Sequence, residues 1–177
     1  MFNKKIFVIN GPAGSGKDTF IELVNKYIIA VNVSSVDKIK KIATQMGWDG
    51  ISKTEKDRKF LSDLKKITSE YCDLSFEYLK ERVKQFQTPP NLGMCLFLHI
   101  REPEEIERAV KEFKAETILV TRDSVKQITS NTSDANVYNY NYDYTITNNG
   151  TIEALNQIAE YFVKEHVLYK EETLNEK

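Results

Sequence analysis

The stretch Lys5-Ile-Phe-Val-Ile-Asn-Gly-Pro-Ala-Gly-Ser-Gly-Lys-Asp-Thr19 decides how this chain is read. Lys5 to Ile9 carries an unbroken apolar run, the pattern of a strand buried on both faces. Gly11 to Lys17 then satisfies the spacing Gly-x-x-x-x-Gly-Lys. Beyond it Phe20, Leu23, Val24, Tyr27 and Ile28 recur on one helical face. Glycines let successive amides turn into one concavity, and the helix that follows adds its positive end. The flanking strand and helix separate a phosphate-cradling loop from a mere tight turn bearing a surface lysine.

In such a loop Lys17 reaches the β- and γ-phosphates as a point charge, so ATP with Mg²⁺ is the expected cofactor pair. Gly11, Ala13, Gly14, Ser15, Gly16, Lys17, Asp18 and Thr19 are the residues expected to hold it. The position after the lysine normally supplies a hydroxyl to the metal, yet here it is Asp18, with Thr19 next. A carboxylate beside a polyphosphate is unfavourable unless a cation intervenes. Asp18 is therefore a candidate Mg²⁺ ligand, directly or through water. Accepting a proton from the substrate side, or simply favouring the helix N-terminus, are its other readings.

Outward from the loop, buried-strand patterns recur at Val31–Val33, Met94–Ile100, Thr117–Val120 and Tyr144–Thr147. Between them lie helical patterns. Asp37 to Met46 points Ile39, Ile42, Ala43 and Met46 inward and stops at Gly47. Lys53 to Tyr71 carries Phe60, Leu61, Leu64, Ile67 and Tyr71, and Ser75 to Phe86 carries Phe76, Leu79, Val83 and Phe86. Glu104 to Phe113 and a last helix through Ile152, Leu155, Ile158, Ala159 and Phe162 complete the set. Alternating strands and helices predict an α/β protein, three layers deep, with a mostly parallel five-stranded sheet. One domain over 1–169 and a charged tail at 170–177 are expected, with a loop rich in Asn, Ser and Tyr between 124 and 142.

The 177 residues carry a net charge of −1, so no global field draws the chain to nucleic acid or membrane. Neither partner is expected. The apolar run near the N-terminus is too short for a signal peptide or a membrane span. Cys72 and Cys95 lack metal-ligand spacing and read as free thiols, which points to the cytoplasm.

Gly11-Pro-Ala-Gly-Ser-Gly-Lys-Asp-Thr19 resembles the nucleoside monophosphate kinase branch of P-loop proteins, and its Gly-Lys-Asp-Thr ending resembles the bacteriophage deoxynucleoside monophosphate kinases. Animal-type phosphomevalonate kinases also carry Gly-Lys-Asp. Ser34-Ser-Val-Asp-Lys-Ile-Lys40 is similar to the nucleotide-kinase pattern Ser-Thr-Gly-Asp-x-x-Arg, with Lys40 in the arginine's place. An ordinary helix cap by Ser35 or Asp37 is the competing reading. His99-Ile-Arg-Glu-Pro-Glu-Glu105 resembles the signature Asp-Val-Arg-Phe-Pro-Asn-Glu, with His99 replacing the aspartate. Asn131-Thr-Ser-Asp134 and Tyr142 to Gly150 resemble the family's late strand and Asn-x-Gly turn.

The resemblance implies a P-loop kinase fold and roles for particular residues. Arg101 would bind the acceptor or transferring phosphate, and Glu105 would orient it. Ser35, Asp37, Lys40 and Arg58 would serve the acceptor within a helical region over about 37–90, and about 123–142 would form a short lid-like loop. Phosphoryl transfer asks for alignment, Mg²⁺ and positive charge around the moving group. Lys17, Arg101 and Arg122, the last two each just after a strand, are the candidate catalytic cations. His99 itself reads as a satisfied buried histidine, and Tyr138, Tyr140, Tyr142 and Tyr144 as packing rather than base-stacking residues.

The leading expectation is an ATP-dependent kinase of a (deoxy)nucleoside monophosphate. A kinase of another small metabolite, such as dephospho-coenzyme A or a phosphorylated metabolite, is the alternative within the fold. A regulatory protein that binds nucleotide without turnover is the alternative from another class. Lys126 is the only basic residue between Ser124 and Gly150, and this sparse segment keeps that last reading alive.

Overall fold

The computed structural model describes residues 4–90, 92–125 and 136–168. Lys126, the Asn131–Asp134 segment and the 170–177 tail lie outside the described residues.

Five strands form the sheet: β1 (Lys5–Asn10), β2 (Ala30–Ser34), β3 (Cys95–His99), β4 (Glu116–Thr121) and β5 (Tyr144–Thr147). Their spatial order is β2-β3-β1-β4-β5, and all four pairings are parallel. β1 sits centrally, with Ile9 opposite His99 of β3 and Asn10 opposite Leu119 of β4. From β1 the chain passes first to one side of the sheet and later, from β3 to β4, to the other. Such a switch point opens a crevice at the carboxyl ends of the strands, where α/β proteins bind ligands.

Side-chain alternation sorts the sheet into two cores. Phe7, Ile9, Phe97, Ile118 and Val120 face α1 (Lys17–Val24) and the last helix, α6 (Ile152–Phe162), which runs on as a π-helical stretch to Leu168. There Phe7 lies 5.5 Å from Phe97 and 5.1 Å from Phe162, centroid to centroid. Ile6, Val8, Val33, Leu96 and Leu98 face α4 (Leu74–Gln87) and α5 (Pro103–Phe113). Burial on both faces explains why these strands read as apolar runs rather than as alternating ones.

Two helices stand outside these layers. α2 (Asp37–Gln45) follows β2, and α3 (Glu55–Cys72) rests on α2 and α4. α3 opens with a reciprocal cap in which Asp57 N donates to Thr54 Oγ1 (3.2 Å) and Thr54 N to Asp57 Oδ2 (2.9 Å). None of its residues is fully buried: Ile67 is 63% and Tyr71 89% exposed, and Met46 past α2 is also exposed. The expectation that Met46 points inward is thus corrected, and Ile67 and Tyr71, read as part of the apolar pattern of α3, are exposed. Helical periodicity marks an apolar face without saying how much of it a neighbour covers.

Candidate active site

Gly11 and Gly16 are fixed by what surrounds them. A Cβ at Gly11 (φ 149°) would lie 2.2 Å from Val120 O, and one at Gly16 (φ 96°) 2.3 Å from Asn148 Nδ2. Gly16 is also the N-cap of α1 and supplies no side-chain cap, so the first-turn amides are left facing the loop. Asn148 Nδ2 donates to Ser15 O (2.9 Å), which clamps the loop from the β5–α6 turn. Ser15 Oγ is fully buried without a hydrogen-bond partner. Lys17 Nζ folds back to donate to the carbonyls of Gly11 (2.6 Å) and Pro12 (2.8 Å). A cationic amine held over turned backbone at a helix N-terminus is the arrangement a polyphosphate calls for.

Beside the loop opens a cavity of about 460 Å³. Gly14, Gly16, Lys17, Asp18 and Thr19 form one wall, and Asn148, Gly150, Thr151, Ile152 and Leu155 the other, with Arg122 at its side. Ala13 is half-buried in the loop between them. Asn148, Thr151 and Ile152 were not anticipated as site residues. Their signal was the Asn148-Asn149-Gly150 turn, read as the family's Asn-x-Gly turn but not as part of the site. Thr151 caps α6 through a bond from Ala154 N (3.3 Å), and Ile152 remains half-exposed at the cavity wall, a position suited to packing against a flat base.

A second group gathers where β1, β2 and β3 end. His99 lies within electrostatic range of Asp18, Lys17, Asp37 and Arg101. Its Nε2 is 3.5 Å from Asp18 Oδ1, and Asn32 Nδ2 donates to that same oxygen (3.3 Å). His99 Nε2 is buried and forms no hydrogen bond, so the expectation of a satisfied buried histidine is corrected. Burial, assisted by Lys17 and Arg101 and opposed by Asp18 and Asp37, pushes its pKa down to about 4. At neutral pH the imidazole is uncharged, and its contact with Asp18 is not an ion pair.

The remaining predicted residues divide. Ser35 is buried and its backbone N donates to His99 O (3.2 Å), while Asp37 Oδ2 accepts from Ser34 N (2.8 Å). The N-cap of α2 is Val36 rather than either of the two residues expected there. Lys40 lies on the exposed face of α2, one turn further on. Arg58 is exposed, and its Nε donates to Lys53 O (3.1 Å). Glu105 accepts from Lys65 Nζ of α3 (2.9 Å), an ion pair that ties α3 to α5. Lys17, Asp37 and Arg101 therefore gather around His99, whereas Arg58 and Glu105 are engaged with partners of their own.

The residues present fit ATP and Mg²⁺. The cradle excludes any side chain at Gly16, the buried Ser15 hydroxyl awaits a partner, and Asp18, its side chain 76% exposed, offers oxygen next to Lys17. Oxygen ligands of this kind suit Mg²⁺. Three of the four tyrosines pack as expected: Tyr140 stacks edge-on with Tyr142 (5.2 Å) against the α4–α5 core, and Tyr144 with Phe162 (5.9 Å) in the other, whereas Tyr138 is exposed. Cys72 and Cys95 are free thiols. Among the described residues no helix is long and apolar enough to cross a membrane.

No family model matches this sequence, and no curated protein sequence matches it. Solved structures do. Dephospho-CoA kinase from Campylobacter jejuni superposes with a TM-score of 0.53 at 18% identity, covering 93% of this chain and 98% of that one. Shikimate kinase from Aquifex aeolicus gives 0.52 at 12% identity, with 93% and 99% covered. The Thermus thermophilus protein TT1252 gives 0.51 at 17% identity, with 93% and 98% covered. The chain has the P-loop kinase fold. At these identities the likeness extends to the fold alone, and the resemblance to the bacteriophage kinases rests on the motifs.

Proposed function

We propose that this chain is an ATP-dependent phosphotransferase acting on a small acceptor, with a (deoxy)nucleoside monophosphate as the first acceptor to test. The observation that carries this reading is the position of Lys17. It lines the cavity together with Arg122 and Asn148, and it also lies within electrostatic range of His99, as Arg101 does. When bound, ATP with its magnesium ion would supply the transferable phosphoryl group. Lys17 and the amides of the glycine loop would hold the donor's phosphates, and Asp18 and Thr19 would supply oxygen to the metal. Ile152 and Leu155 offer an apolar wall to the base. Arg101 supplies positive charge on the acceptor side, and Arg122 on the donor side. The chemistry asked of the protein is alignment and charge stabilisation.

A non-nucleotide acceptor is the second reading, and one observation favours it. Asp18 and Asp37 both lie within electrostatic range of His99, and Arg58 already donates to Lys53 O, which leaves fewer cations to hold an acceptor phosphate. One of the similar structures, shikimate kinase, is named for an acceptor of that sort, and another is named for dephospho-CoA, which carries phosphate. ADP release with Mg²⁺ and ATP, measured against a panel of nucleoside monophosphates and other small metabolites, phosphorylated and phosphate-free, separates the readings. Turnover with one monophosphate supports the first, and turnover only with a non-nucleotide supports the second. Tight ATP binding with no transfer to any acceptor would remove both and leave a nucleotide sensor.

A further inference from the structure

Asn10 is the last residue of β1, 1% exposed, and every polar atom of its side chain is engaged. Its Oδ1 accepts from Gly11 N (2.8 Å), the first amide of the glycine loop. Its Nδ2 donates to Arg101 O (3.2 Å) and to Tyr142 OH (2.8 Å). Tyr142 in turn donates to Val137 O (2.9 Å). The ladder between β1 and β3 has its last register pair at Ile9 and His99. Beyond that pair the Asn10 amide replaces main-chain pairing and reaches the carbonyl two residues further along the neighbouring chain.

One carboxamide thus joins three separate segments: the root of the glycine loop, the turn bearing Arg101, and the 136–142 segment that precedes β5. A side-chain amide has two donor hydrogens and a carbonyl acceptor, and this site uses both kinds. Aspartate would keep the bond from Gly11 N but lose both donations and bury a charge. Leucine would leave the Gly11 amide, the Arg101 carbonyl and the Tyr142 hydroxyl each short of a partner.

We propose that Asn10, braced by Tyr142, is a positioning residue that fixes the Arg101 main chain relative to the glycine loop. The cation on the acceptor side is thereby held in register with the donor phosphates. The inference rests on the phosphotransferase reading, because it assigns Asn10 a role in transfer rather than in folding. Misplacement of a reacting group by about 1 Å costs as much as 100-fold in rate.

The test compares kcat, ATP affinity and melting temperature for the wild type, Asn10→Ala, Tyr142→Phe, Arg101→Ala and the Asn10→Ala/Arg101→Ala pair. Arg101→Ala keeps the carbonyl that Asn10 binds and removes the side chain beyond Cβ, the guanidinium included. The expected result is a fall in kcat of about tenfold or more for Asn10→Ala with ATP affinity within about twofold, and a smaller fall for Tyr142→Phe. In the Arg101→Ala background the Asn10 substitution then costs less than about twofold, because the cation it places is gone. Tyr142→Phe keeps the ring and its packing, so it reads the same effect if Asn10→Ala fails to fold. Equal losses in both backgrounds, or a lowered melting temperature with kcat unchanged, would overturn the inference. So would a loss confined to ATP affinity, which would tie Asn10 to the glycine loop alone. Absence of turnover in the wild type would instead overturn the phosphotransferase reading, and this role with it.

Discussion

Gly16 shows how much a single residue carries in this site. Its left-handed backbone and the Asn148 amide against its α-carbon leave room for hydrogen only. Gly16→Ala is expected to cost about 1–2 kcal/mol through backbone strain alone and to abolish ATP binding by pushing the Asn148 clamp off Ser15. Calorimetric titration with ATP beside a thermal melt reads both effects, and unchanged ATP affinity would show that the cradle tolerates a methyl group. His99 makes a second prediction, in pH. Its folded pKa of about 4 lies below the ordinary value of about 6.5 for an unfolded chain. Between those values the unfolded state binds the extra proton, so this group's contribution lowers stability as the pH falls through the window and levels off below it. Without nucleotide or metal, His99→Gln should therefore lose less stability than the wild type between about pH 6.5 and 4. Parallel stability curves across that range would mean that His99 titrates normally. Asp18, Lys17, Asp37 and Arg101 are the charged neighbours that set the balance.

At the scale of elements, α3 is the one to probe. It contributes no fully buried side chain and is held by its contacts with α2 and α4, its capping box and the Lys65–Glu105 ion pair. Thr54→Ala should cost about 1 kcal/mol, the usual value of an N-cap, with most of the loss appearing as faster hydrogen exchange within α3. Uniform loss of protection across the sheet would mean instead that α3 unfolds only with the whole. Tyr71→Ser, at an 89% exposed position, should change stability by less than about 0.5 kcal/mol. The sequence showed α3 clearly as a helix and overstated what it buries. Periodicity records that Ile67 and Tyr71 share a face, and a single chain holds no record of how much of that face a neighbour covers. The strands were more legible. Burial on both faces leaves an apolar run with few alternative readings, and Tyr144–Thr147 matched residue for residue.

For the whole molecule, the site is assembled from turns far apart in sequence: 10–19, 34–37, 99–101, 122 and 148–152. The glycine loop was legible because its chemistry is local: three glycines and a lysine at fixed spacing between a strand and a helix. The far wall of the cavity was not. Asn148 meets Ser15 only after β1, β4 and β5 have been laid side by side, and the Asn148-Asn149-Gly150 turn does not say which residue Asn148 meets. The same holds for Asn10, an ordinary strand-ending asparagine until Arg101 and Tyr142 are brought against it. Arg58 and Glu105 fell the other way. Glu105 matched a family signature and Arg58 lies in the segment given to the acceptor, which suggested a shared site, and the packed structure gives them partners of their own.

The central claim is that Lys17 stands between a nucleotide donor and a small acceptor, and transfer of labelled γ-phosphate from ATP tests it most directly. With Mg²⁺ and the acceptor panel, the wild type is expected to move label onto one acceptor with matching ADP. Lys17→Ala, folded by its thermal melt, should be slower by about 100-fold or more. Equal transfer by the two proteins, or ATP bound by the wild type with no label reaching any acceptor, would contradict it.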